Sequence, residues 1–115
     1  MATNGSTRFS LVERDNVVSV RGDVDFGNAE QLLRALHRLR GSYRSVIVDL
    51  SGVRTMDSAG FGALLRACRE SRHSGSHLVL RSPSAHVRRM LEVTGMLGYF
   101  GVEEEARSRA ASAPA

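Results

Sequence analysis

Val46-Ile47-Val48-Asp49-Leu50-Ser51-Gly52-Val53-Arg54-Thr55-Met56-Asp57-Ser58-Ala59-Gly60-Phe61-Gly62-Ala63-Leu64-Leu65 changes its hydrophobic period part-way along, and that change decides the fold. From Ser45 to Leu50 the run is nearly continuous and β-branched, the mark of a strand buried on both faces. Beyond it Phe61, Leu64, Leu65 and Cys68 recur at helical spacing. The segment therefore predicts a strand over 45–50, a connection over 51–56 and a helix from about Ser58 that Gly75 ends.

The same alternation extends in both directions. Upstream, 9–12 and 17–21 read as two strands joined by a turn at Asp15-Asn16, hence a hairpin. Gly22-Asp23-Val24-Asp25-Phe26-Gly27 breaks regularity. Asn28 stands where a helix N-cap belongs, ahead of Ala29, Leu32, Leu33, Leu36 and Leu39 at helical spacing, with Gly41 as the stop. Downstream, 77–81 is a short strand. Ser82-Pro83-Ser84 is a capping signal, and Val87, Met90, Leu91 and Thr94 line a third helix closed by Gly95. Residues 100–102 suggest an edge strand and 103–109 a short fourth helix, with a frayed start over 1–7 and a disordered Ala-rich end. Strands alternating with helices imply an α/β domain on a mixed, mainly parallel sheet with an antiparallel first strand and about four helices. In such sheets sites lie where strands end and helices begin, which places the connection from Asp49 to Ser58 at the centre of attention.

Composition narrows the chemistry. At 115 residues the chain has room for one core, and 42% hydrophobic with 24% charged residues is ordinary for a globular domain. No apolar run approaches the ~20 residues of a membrane span, and the N-terminus shows no secretory signal. The lone Cys68 makes no internal disulfide, in keeping with a cytoplasmic protein. All sixteen basic residues are arginine, which excludes a phosphate-gripping Gly-Lys-Ser/Thr loop and any Schiff-base lysine. The arginines are scattered without interleaved aromatics, against nucleic acid as the direct partner.

Asp57-Ser58-Ala59-Gly60 puts a serine hydroxyl at the mouth of a helix, where first-turn amides favour negative charge. Asp57 and Asp25 supply carboxylates able to orient that hydroxyl. Capping alone accounts for such a serine, and capping serines outnumber switch serines. A nucleophile elbow needs Gly-x-Ser-x-Gly, and Met56 occupies the first glycine position. His37, His73, His77 and His86 have no spacing that recommends a catalyst. Gly75 interrupts the chain between His73 and His77, so with Cys68 they form no convincing metal set. No catalytic residue, metal or cofactor is expected. Arg66, Arg69 and Arg72 read as a solvated helix face.

The quoted segment resembles the signature of the STAS-domain anti-sigma factor antagonists. Gly22-Asp23-Val24-Asp25, Asn28-Ala29, Ser82-Pro83-Ser84 and 87–96 resemble further elements of that family, so the likeness spans 8–102, with 103–115 beyond it. The resemblance implies a partner switch. The unphosphorylated protein binds an anti-sigma factor with serine kinase activity and frees a sigma factor. The kinase phosphorylates the serine matching Ser58, and a serine phosphatase reverses this. It also implies a partner-binding surface of Asp25, Asn28, Thr55, Asp57, Ser58, Ala59 and Gly60 on a monomer or weak homodimer, without membrane or nucleic acid. Ala59 stands where many relatives carry a second serine, while Thr55 and Ser51 remain as neighbouring hydroxyls. Within the same fold, the alternatives are a scaffold STAS subunit of a stress-signalling complex or of a lipid-transport complex.

Overall fold

The computed structural model describes residues 8–103. In chain order the elements are β1 (Ser10–Arg14), β2 (Val17–Val24), α1 (Ala29–Arg40), β3 (Ser45–Met56), α2 (Ser58–His73), β4 (His77–Arg81), α3 (Ala85–Thr94) and β5 (Gly101–Glu103). They build one sheet in the order β1-β2-β3-β4-β5. β1 and β2 are antiparallel, and every later pair is parallel.

Each parallel crossover advances one strand in the same direction. Right-handed connections then place all three helices on the same face of the sheet. Burial follows this layering: Val46, Val48 and Leu50 of β3 are buried, while Ile47 and Asp49, pointing the other way, are only half-buried. The strand predicted to be covered on both faces is thus covered on one, because among the described residues no helix lies on the other. Leu32, Leu50, Leu64, Leu80 and Leu91 are completely buried, one each from α1, β3, α2, β4 and α3. Each contributes about 1.5–3 kcal/mol relative to an exposed side chain, so every layer is fastened to a shared core.

The largest departure from the sequence reading is β3. Its predicted end at Leu50 gives way to a strand through Met56, so 51–56 is not a free connection. The pairing explains why the pattern hid this. Ser19 faces Asp49 but Arg21 faces Gly52, and Gly22 faces Val53 but Asp23 faces Thr55. Two extra residues on β3 shift the register, so the buried series runs 46, 48, 50, 53, 56 and loses its period of two. β2 likewise continues through Gly22, which has φ +87°, to Val24, and the irregular stretch begins only at Asp25. Three helices stand among the described residues. Of the expected fourth, Glu103 belongs to β5 and 104–109 lie outside the described residues, as do 1–7 and the Ala-rich end.

The helix ends match the predicted stops, with one change of mechanism. Ser84 caps α3 through the Val87 N–H, and Gly95 closes it at φ +73°. Gly41 ends α1 at φ −68°, a conformation open to any residue.

Candidate functional site at the start of α2

The polar cap of α2 is Asp57, and Ser58 is the first helical residue. Asp57 Oδ1 accepts the N–H groups of Ala59 at 2.9 Å and Gly60 at 3.0 Å. Its Oδ2 accepts the Phe26 N–H at 3.2 Å, and its own N–H donates to Val24 O at 3.0 Å. One carboxylate therefore satisfies two orphan helix amides and ties the β2–α1 loop to the helix mouth. Gly60 makes the seat possible. A Cβ there would lie 2.7 Å from Val24 Cγ1 and 2.9 Å from Met56 Cγ, so only hydrogen fits where α2 crosses the ends of β2 and β3.

The facing loop is closed by local bonds. Asp25 Oδ1 accepts the Gly27 N–H at 2.9 Å, and Asp25 O accepts the Asn28 and Ala29 N–H groups. Asn28 precedes α1 but makes no side-chain cap. Its Oδ1 accepts the Asp25 N–H at 2.9 Å and its Nδ2 donates to Asp23 O at 3.0 Å. The predicted cap is a loop clamp instead, because Asn offers a donor and an acceptor that two backbone groups can use together.

Three hydroxyls occupy the segment, and their surroundings differ. Ser51 Oγ donates to Asp49 Oδ1 at 2.7 Å. Thr55 Oγ1 donates to Asp23 Oδ1 at 2.7 Å, beside Arg54 Nε at 3.2 Å from the same oxygen. The Thr55 hydrogen bond, then Arg54 and the more distant His86, hold the Asp23 carboxyl below its ordinary range. Ser58 is exposed, and its hydroxyl takes no partner among the described residues. Neither Asp25 nor Asp57 is hydrogen-bonded to it, so no carboxylate orients this hydroxyl. The Ala59 and Gly60 amides are already taken by Asp57, which leaves a phosphate on Ser58 beside a carboxylate rather than in an open amide cradle.

Of the residues singled out from sequence, Asp25, Asn28, Asp57, Ser58, Ala59 and Gly60 converge on this edge, whereas Thr55 turns to Asp23. The reading missed Phe26, whose side chain is 86% exposed in the same loop. An aromatic residue amid Gly, Asp and Asn was the available signal. His86 Nε2 lies 3.1 Å from Met56 O, linking α3 to the end of β3. Cys68 is buried, and burial pushes its thiol pKa up.

A shallow cleft of about 350 Å³ runs from Phe26 and Ala59 along α1 and α2. A larger one, about 1030 Å³, lies at the opposite ends of these helices among His37, Arg40, Arg69 and His73. Arg40 and Arg69 stand at or near the carbonyl ends of α1 and α2, where positive charge offsets the helix dipoles. Among the described residues no helix is long and apolar enough to cross a membrane.

The family model for the STAS domain matches residues 8–109. The chain belongs to the STAS domain family. A relative in Bordetella bronchiseptica, BtrV, assigned as an anti-sigma factor antagonist, is 34% identical over 100 residues, covering 86% of this STAS chain and 84% of its own. The anti-sigma F factor antagonist of Lysinibacillus sphaericus is 27% identical over 107 residues, covering 89% and 92%. Two solved structures of SpoIIAA share the fold at 22% identity. The unphosphorylated anti-sigma factor antagonist gives a TM-score of 0.68 over 94% of this chain and 100% of that one. The phosphorylated form, described as a Bacillus cell fate determinant, gives 0.64 over 92% and 100%.

Proposed function

We propose that this STAS domain is a cytoplasmic anti-sigma factor antagonist switched by phosphorylation of Ser58. Unphosphorylated, it binds an anti-sigma factor with serine kinase activity and thereby releases a sigma factor. Transfer of a phosphoryl group to Ser58 ends the complex, and a serine phosphatase restores the free hydroxyl. Asp25, Asn28, Asp57, Ala59 and Gly60 shape the contact surface around it, with Thr55 supporting from behind through Asp23. The domain acts as substrate and ligand and carries no catalytic residue of its own.

The observation that carries this reading is the Ser58 hydroxyl, exposed and without a partner among the described residues, where Ser51 and Thr55 are both engaged. Its neighbourhood also favours a sharp response. Phosphorylation adds about −1.5 to −2 charges, next to an Asp57 that has already consumed the nearby amides. Leaving such a charge unpaired at an interface costs roughly 2–5 kcal/mol. That is a loss of affinity of about 30- to 3000-fold.

The test measures binding of the purified anti-sigma kinase to unphosphorylated and phosphorylated protein, and to Ser58→Ala and Ser58→Asp. Strong binding by the unphosphorylated form and Ser58→Ala, with weak binding by the other two, is the expected pattern. Equal binding by all four removes the switch.

A further inference from the structure

We infer that the cleft beside Phe26 receives an apolar side chain of the anti-sigma factor, accompanied by a basic residue that meets Glu30; this rests on the antagonist reading above. Three observations converge. First, Phe26 is 86% exposed although its loop is fixed. The Asp57, Asp25 and Asn28 bonds that fix it use backbone groups at Phe26, Gly27 and Asp25, and none involves the ring. An exposed aromatic on a backbone already held by hydrogen bonds has the character of a binding anchor, since only the ring remains to be ordered when a partner arrives.

Second, Gly62 lies within α2 on the cleft, and a Cβ added there meets nothing within 4 Å. Glycine is a poor interior helix residue, and nothing among the described residues demands it. Gly60, two residues earlier, is required by Val24 and Met56; Gly62 has no such internal reason. Its lack of a side chain instead keeps the cleft open beside Leu33 and Phe26, with room of about 350 Å³.

Third, the rim is unbalanced in charge. Arg66 is paired with Glu70 at 3.1 Å, whereas Glu30 is exposed and takes no ion pair among the described residues. A partner with a basic residue beside its apolar one complements that rim. Ala59 lines the cleft and follows Ser58 directly, so the apolar seat and the phosphoacceptor form one continuous surface.

The experiment uses the purified anti-sigma kinase that phosphorylates this protein, with titration calorimetry against the intact chain and Phe26→Ala, Gly62→Leu, Gly62→Ala and Glu30→Gln. Circular dichroism and melting confirm that each variant is folded. Phe26→Ala and Gly62→Leu should each weaken binding about tenfold or more. Gly62→Ala should weaken it less, and Glu30→Gln should weaken it at low salt but little at high salt, whereas an unchanged salt dependence removes the basic partner of Glu30. Wild-type affinity in Phe26→Ala or in a folded Gly62 variant overturns the inference and leaves the antagonist reading standing. Absence of binding by the unmodified wild-type chain overturns both.

Discussion

Replacing Gly60 by alanine places a methyl carbon 2.7 Å from Val24 Cγ1 and 2.9 Å from Met56 Cγ. Carbon atoms settle at about 3.5–4.0 Å, so the start of α2 must recoil by roughly 1 Å from two side chains that are themselves buried. Overpacking of this kind costs about 1–3 kcal/mol. The better helix propensity of alanine returns at most about 1 kcal/mol, leaving a net loss that reaches about 2 kcal/mol. Gly62→Ala gains the same propensity without a clash, because nothing lies within 4 Å of its added carbon; about 0.5–1 kcal/mol of stabilisation follows. In a domain of roughly 100 residues each kcal/mol moves Tm by about 4–8 °C. Gly60→Ala should therefore melt below the parent, by up to about 15 °C, and Gly62→Ala about 2–8 °C above it. Thermal and urea unfolding of the pair measure this directly. A Gly60→Ala protein melting at or above Gly62→Ala would refute the seating of α2 on β2 and β3.

Asp57→Ala should lose about 0.5–2 kcal/mol in urea unfolding, and Asp57→Asn less, since Asn still accepts the two helix amides but turns a donor toward the Phe26 N–H; equal stability of Asp57→Ala and parent would reject the cap. Asp23 titrates lower folded than unfolded, chiefly through Thr55 and then Arg54. Its stabilisation is thus present above the unfolded carboxylate value of about 3.9 and is lost as pH falls through the lower folded value. Melting curves taken down through that range should fall less steeply for Asp23→Asn, and identical slopes would contradict the Thr55–Asp23 assignment. Cys68 is buried with a raised thiol pKa, so a thiol reagent at neutral pH should label it slowly until denaturant is added. Immediate full labelling of the native protein would show the α2 core face to be open.

The fold was legible wherever one period ruled a segment. The Leu32–Leu36–Leu39 spacing of α1, the β-branched run before Leu50 and the glycine stop at Gly95 each state a local preference that the packed structure keeps. β3 beyond Leu50 was hidden because its pairing with β2 absorbs two extra residues, and no alternation survives a register shift of that kind. At the site, the sequence pointed to Ser58 and Asp57 but exchanged their tasks as caps. A carboxylate that reaches two amides and a third across the loop outcompetes a hydroxyl, and this depends on the approach of Phe26, 31 residues away. Phe26 itself escaped notice because an isolated aromatic carries no periodicity, and only its exposure in the folded chain gives it meaning.

In the proposed switch Ser58, and not Ser51 or Thr55, accepts the phosphoryl group. Incubation of the intact protein with purified anti-sigma kinases and ATP, followed by mass mapping of the modified peptide, tests it most directly. One phosphate on Ser58 is expected, abolished by Ser58→Ala with no transfer to Thr55, whose hydroxyl is held by Asp23. Phosphate on Thr55 or Ser51 in the parent protein, or undiminished incorporation into Ser58→Ala, would contradict it.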